Sequence, residues 1–89
     1  MGFIHSRDFL NGGSVVVVSC DHQCNVLLMD DSNFQRYRTG GQFRYYGGFR
    51  KTFPTRISVP NSGNWNVVLD LAGGSARIRY SIRYLPQAA

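Results

Sequence analysis

The stretch whose residue types come nearest to a reactive centre is Cys20-Asp21-His22-Gln23-Cys24. Two thiols and an imidazole within five residues could ligate zinc, but structural zinc sites usually draw on two separated ligand pairs, and the other obvious soft ligand is His5. Three ligands crowded on one turn are expected instead as two free thiols, packed or half-exposed, with a redox disulfide as the alternative. No metal is expected. A Cys nucleophile with a His base is the one catalytic pairing available in type, and His22 lies too close along a tight turn to be aimed at either sulfur. The chain has no Glu to act as a tuned acid or base, and no Ser in a nucleophile elbow. The Asp30-Asp31 carboxylate pair is explained by helix capping. The expectation is therefore no enzyme and no cofactor.

A different chemistry is written into Phe34 to Arg56. This segment carries Arg36, Arg38, Arg44, Arg50, Lys51 and Arg56 without an acid, interleaved with Phe34, Tyr37, Phe43, Tyr45, Tyr46, Phe49 and Phe53. Guanidinium groups fork onto phosphate or carboxylate, and aromatic faces stack on bases and sugars. The competing explanation is that alternate rings are core and the cations solvate the outer face. On strand parity Phe43 and Tyr45 share one face and Arg44 and Tyr46 the other, which leaves Tyr46 as the ring least easily assigned to a core. The residues expected to bind are Arg36, Tyr37, Arg38, Tyr45, Tyr46 and Arg50. The expected function is a non-enzymatic recognition module for a small anionic or sugar- or nucleotide-like ligand, or a protein partner. Self-association through a strand edge and single-stranded nucleic-acid binding are the alternatives. The modest net charge of +5 and the lack of paired RNP aromatics or a GXXG loop weigh against nucleic acid.

Eighty-nine residues allow one domain, residues 1–89, with a single two-layer core. Nine Arg and one Lys face five Asp, a balance that suits an anionic partner; Arg77, Arg79 and Arg83 are equally explained as outward residues whose stems cover a sheet. The opening MGFIHSRDF lacks the apolar run and cleavage site of a leader, and its resemblance to a myristoylation motif is short enough to arise by chance. No stretch approaches the roughly 20 apolar residues of a membrane span. The expected location is the cytoplasm.

Alternation supplies the elements that would position these groups. Asn64 to Leu71 and Ala76 to Tyr84 each alternate apolar and polar residues, and Gly73-Gly74 between them predicts a hairpin. In that register Leu69 faces Ile78, Val67 faces Tyr80 and Trp65 faces Ile82 on one side, while Asp70 pairs with Arg77 and Asn64 with Arg83 on the other. Ser14 to Cys20, with four consecutive valines, reads as a central strand covered on both faces, and Asn25 to Met29 as its antiparallel partner. Residues 3–13 read as a lead-in that tucks Phe3, Ile4, Phe9 and Leu10 under the sheet. Asp30 to Asn33 offers helix caps, arginines follow, and Thr39-Gly40-Gly41 closes one or two turns of α- or 3₁₀-helix with Phe34 and Tyr37 inward, a plain loop being the alternative. Gln42 to Tyr46 and Phe49 to Phe53 read as two short strands separated by Gly47-Gly48, and Thr55 to Val59 as another, with Pro54 at a strand start, bulge or edge. Six or seven short strands with Gly-rich turns make an all-β, antiparallel sandwich.

Taken in order, Asn25 to Phe34, Tyr37, Gly40, Tyr45-Tyr46-Gly47-Gly48, Val59-Pro60, Ser62-Gly63, Trp65-Asn66-Val67 and Asp70-Leu71 resemble a small bacterial family catalogued as a domain of unknown function. The resemblance spans nearly the whole chain. It implies a β-sandwich of pseudo β-prism type with bent, bulged strands, in a family that occurs alone and also fused ahead of TIR domains. It implies no activity, substrate or catalytic residue, and Cys20 and Cys24 stand outside the pattern. The polar run Met29 to Asn33 beside Tyr45 to Gly48 is where a ligand pocket is expected, because paired glycines permit close backbone approach.

Overall fold

A computed structural model of the chain describes residues 3–71 and 78–86. Its elements are β1 (Phe3–Leu10), β2 (Val15–Cys20), β3 (Cys24–Asp30), α1 (Asp31–Arg38), β4 (Tyr46–Arg50), β5 (Thr55–Ser58), β6 (Gly63–Asp70) and β7 (Tyr80–Leu85). One antiparallel sheet has the order β1-β6-β3-β4, and a second has the order β5-β2-β7. The all-β sandwich with one short helix read from the sequence is the fold.

Which strands pair differs from expectation. β6 lies between β1 and β3, with Leu69 opposite Ile4 and Val26, whereas β7 pairs with β2 in the other sheet. The proposed β6–β7 hairpin is therefore absent, and its pairings of Val67 with Tyr80 and Trp65 with Ile82 do not form. The Gly73-Gly74 turn itself lies outside the described residues. β3 likewise crosses to the four-stranded sheet instead of pairing with β2. Residues 3–10 are a full edge strand, not a lead-in, and Phe9 points into solvent at 58% exposure. The Gly47-Gly48 pair is not a turn. It runs inside the single strand β4, replacing the two strands expected from 42–46 and 49–53.

Each sheet turns one face to the other. Val16 and Val18 of β2 with Ile57 and Val59 meet Val26, Leu28, Trp65, Val67 and Leu69 of the larger sheet in the principal core. Each such aliphatic side chain taken out of water contributes roughly 1.5–3 kcal/mol. Val17 points the opposite way and is still only 1% exposed. In register it lies between Arg56 and Arg83, whose stems can cover it from both sides.

The far face of the larger sheet carries a third layer. Leu27, Met29 and Val68 pack under Phe34 of α1, with half-buried Tyr37 and Phe43 closing the margin. α1 starts where it does because the Asp30 carboxylate accepts a hydrogen bond from the Asn33 backbone N–H at 2.8 Å. Asp31 at its first turn and Arg36 and Arg38 at its last complement the helix dipole. The helix ends at Thr39, whose N–H donates to the Gln35 carbonyl at 3.1 Å.

Gly47 permits the close approach of β4 to β3. Its φ is +112°, and a Cβ there would meet the Val26 carbonyl oxygen at 2.1 Å. Only a residue without a side chain fits. Tyr46, the next residue back along β4, is thereby held opposite Leu28 near the end of β3 and against Trp65 near the start of β6.

Candidate functional site

The junction of α1, the 43–46 segment and the start of β6 opens into a cleft of about 750 Å³. Met29, Asp30 and Asn33 form one wall; Phe43, Arg44, Tyr45 and Tyr46 form the second; Asn61, Gly63, Asn64 and Trp65 form the third. Two stretches singled out in the sequence, 29–33 and 45–46, thus lie side by side.

The walls are fixed from behind. Asn33 uses both ends of its amide structurally: Oδ1 accepts from the Arg44 backbone N–H at 2.8 Å, and Nδ2 donates to Asp30 Oδ1 at 2.9 Å. These bonds tie the 43–46 segment to the helix start. Trp65 donates its indole N–H to the Asn61 carbonyl at 2.9 Å, which pins the 60–63 corner. Tyr46 meets the Trp65 ring edge-on, with centroids 6.0 Å apart and planes at 68°, and Tyr45 lies 5.6 Å from Phe43. Both tyrosines remain half exposed, at 48% and 49%. Among the described residues, the side chains of Arg44, Tyr45, Asn61 and Asn64 and the hydroxyl of Tyr46 make no hydrogen bond or ion pair, so their polar groups stay available to a ligand.

Of the six residues singled out in the sequence, Tyr45 and Tyr46 are in the cleft. Arg36 and Arg38 are exposed on α1, and the Arg38 guanidinium lies 5.8 Å over the Phe34 ring. Arg50, at the far end of β4, donates to the Thr55 hydroxyl at 2.9 Å. Tyr37 is a packing residue. Its ring meets Phe3 and Phe43 edge-on at 5.4 and 5.2 Å, and its hydroxyl donates to Asp70 at 2.5 Å. Burial, followed by the Asp70 carboxylate, holds its phenol above the usual range. Asn61 and Asn64 carry no signal in the sequence, because Asn in a turn or at a strand start is ordinary. Only their meeting with two half-exposed tyrosines marks them.

Beside the cleft a polar network locks the helix to the sheet. Arg7 donates from Nε and Nη2 to the two carboxylate oxygens of Asp31, at 2.9 and 2.7 Å. Fully buried Asn66 donates to Asp31 at 2.8 Å and to the Met29 carbonyl at 3.3 Å, leaving its Oδ1 to accept from His5 Nε2 at 2.7 Å. His5 also stacks on Phe34 with centroids 3.9 Å apart. The Arg7 fork, aided by Asn66, holds the Asp31 carboxyl down at about 2. With its partners so spent, this network is scaffold.

Cys20 and Cys24 are free thiols, the first half-buried and the second buried. Burial and the neighbouring Cys20 push the Cys24 thiol up to about 12, which leaves it unreactive as a nucleophile at neutral pH. Among the described residues no three His, Cys, Asp or Glu side chains are placed to share a metal ion. No helix among them is long and apolar enough to cross a membrane.

No curated protein and no solved structure matches the sequence. The family model for a domain of unknown function, DUF1883, matches residues 1–88, nearly the whole sequence, and the chain belongs to the DUF1883 family.

Proposed function

We propose that this protein is a non-enzymatic recognition module that holds a small polar ligand of sugar or nucleotide type in the cleft between α1, residues 43–46 and the start of β6. The observation that carries this reading is the convergence of two half-exposed tyrosine rings with amide, hydroxyl and guanidinium groups that have no partner among the described residues. A cleft of this size lined by rings and a few unspent polar groups is the usual form of a small-molecule site. Fusion ahead of TIR domains, which the family resemblance implies, suits a module that reports occupancy of such a cleft to an effector. Two free thiols suit a reducing, cytoplasmic compartment.

The test is a fragment and metabolite screen read by amide chemical shifts on the labelled protein. Binders should move the amides of residues 43–46 and 61–65, and Tyr46→Ala should abolish those shifts. Binders that map elsewhere, or that ignore the substitution, would refute the reading.

One observation supports a second reading. β1 pairs only with β6, leaving the other edge of an eight-residue strand without a partner among the described residues, and Phe9 on it is widely exposed. Such an edge can add a second copy of the chain. Light scattering that reports a dimer dissociated by Phe9→Ser would support this; a concentration-independent monomer would remove it. The cations give little support to nucleic-acid binding, because Arg36 and Arg38 lie on the helix side of the sandwich and Arg56 and Arg83 on the outer face of the opposite sheet.

A further inference from the structure

We infer that the ligand of this cleft is an uncharged glycan and not an anion. The inference rests on the cleft being the binding site, as proposed above, and it concerns what that site selects.

Charge comes first. The cleft is bordered by one acid, Asp30, and one base, Arg44, so its formal charge cancels. Arg36, Arg38 and Arg50, which would draw in a phosphate, lie elsewhere. The usual alternative for an anion is the N–H groups of a helix N-terminus. Here that position is taken by the chain itself, because Asp30 Oδ1 accepts both the backbone N–H and the side-chain amide of Asn33, at 2.8 and 2.9 Å. A phosphate or carboxylate approaching α1 from the cleft therefore meets the Asp30 carboxylate. One guanidinium set against that charge makes no anion site.

The unspent groups are of another kind. Asn61 and Asn64 each offer a carbonyl acceptor and two amide donors, and the Tyr45 and Tyr46 hydroxyls both donate and accept. A sugar hydroxyl also donates and accepts at once, so it can be satisfied on both counts by such groups. A fully ionised phosphate group, such as that of a nucleotide, only accepts and would leave the amide carbonyls unpaired, and inorganic phosphate has at most two hydroxyl donors to offer them.

Ring geometry agrees. The two tyrosines are half exposed, and each is steadied by a buried or half-buried aromatic neighbour, Trp65 behind Tyr46 and Phe43 behind Tyr45. A pyranose carries a patch of C–H groups on one face, and an oriented ring with its polar tip in water gives that patch an apolar platform. The volume, about 750 Å³, leaves room for more than one sugar ring.

The experiment probes the intact chain with an array of neutral and acidic oligosaccharides, then titrates maltose, cellobiose, chitobiose, adenosine monophosphate and inorganic phosphate while amide shifts are followed. A neutral saccharide should bind and move residues 43–46 and 61–65. Its Kd should be flat between roughly 50 and 500 mM salt, since no charge is paired across the interface. Tyr46→Ala should weaken it by about tenfold or more, whereas Tyr46→Phe, which keeps the ring, should stay within a few fold. Dispersed amide spectra of both variants exclude unfolding as the cause. Adenosine monophosphate or phosphate binding at these residues, weakened by salt and lost in Arg44→Ala, would overturn the inference and leave the cleft as the site. An array without any Tyr46-dependent neutral glycan would overturn it as well. Saccharide shifts confined to residues outside the cleft would sink both readings.

Discussion

Replacing Gly47 with Ala should damage both the fold and the cleft, by an amount that can be worked from the backbone. The new Cβ would stand 2.1 Å from the Val26 carbonyl oxygen and 3.0 Å from Ile57 Cδ1, where ordinary contact begins at 3.4 Å. The obstacle is backbone, so β3 and β4 must separate by about 1 Å or more, which breaks the ladder at Leu27 and Gly47. A left-handed φ costs a residue with a side chain roughly 1–2 kcal/mol. Loss of about two ladder hydrogen bonds adds about 2–3 kcal/mol, for a total of about 3–5 kcal/mol. Gly40→Ala is the matched control, because φ there is +81° but nothing lies within 4 Å of the added methyl. It should cost only the roughly 1–2 kcal/mol of backbone strain. In urea denaturation, Gly47→Ala should lower the midpoint sharply with little change in slope, and its Tm should fall by roughly 15–30 °C. Because Tyr46 precedes Gly47 on the same strand, ligand shifts at residues 43–46 should fade as well. Equal losses in the two variants would refute the account of Gly47 as a close-approach position.

Other perturbations test the scaffold separately. Asp31 is held at about 2, below its unfolded value near 3.8, so its contribution is present above pH 4 and is lost as pH falls toward 2. Since the ion pair is about half exposed, Asp31→Asn should cost no more than about 1 kcal/mol at neutral pH and should flatten that part of the acid-stability profile. Asn66→Ala leaves the Met29 carbonyl and the His5 ring without their partner, and should cost about 2–3 kcal/mol by chemical denaturation. Tyr37, with its phenol raised, should be the last tyrosine to ionise in a spectrophotometric titration. Its stabilising share is present below pH 10 and falls as pH rises beyond it; Tyr37→Phe should remove that alkaline slope. Cys20 should react with a disulfide reagent at pH 8 well before Cys24, whose thiol is buried and raised to about 12; equal rates would contradict the packing around it.

The residues alone determined the type of β2, β3, α1, β5, β6 and β7, but not of β1 and β4, which read as a lead-in and as two strands joined by a glycine turn. The four valines of β2 and the Asp30 cap before Phe34 are local signals of a covered strand and a helix start, whereas the outward parity of β6 is overridden: Asn66 and Val68 on it are buried on the α1 side, and Tyr80 on the inward parity of β7 is exposed. The residues also marked Tyr46, whose parity gave it no place in a core. Tertiary structure decided which apolar surface each strand meets. The inward face of β6 reads the same whether its neighbour is β7 or the β1 and β3 that flank it, because alternation encodes burial and not the identity of the partner. It decided the site for the same reason. A dense run of arginines in the chain says nothing about convergence, and folding sends Arg36, Arg38 and Arg50 to separate places while bringing Asn61 and Asn64, ordinary residues of a turn and a strand start, to face Tyr45 and Tyr46 across one cleft.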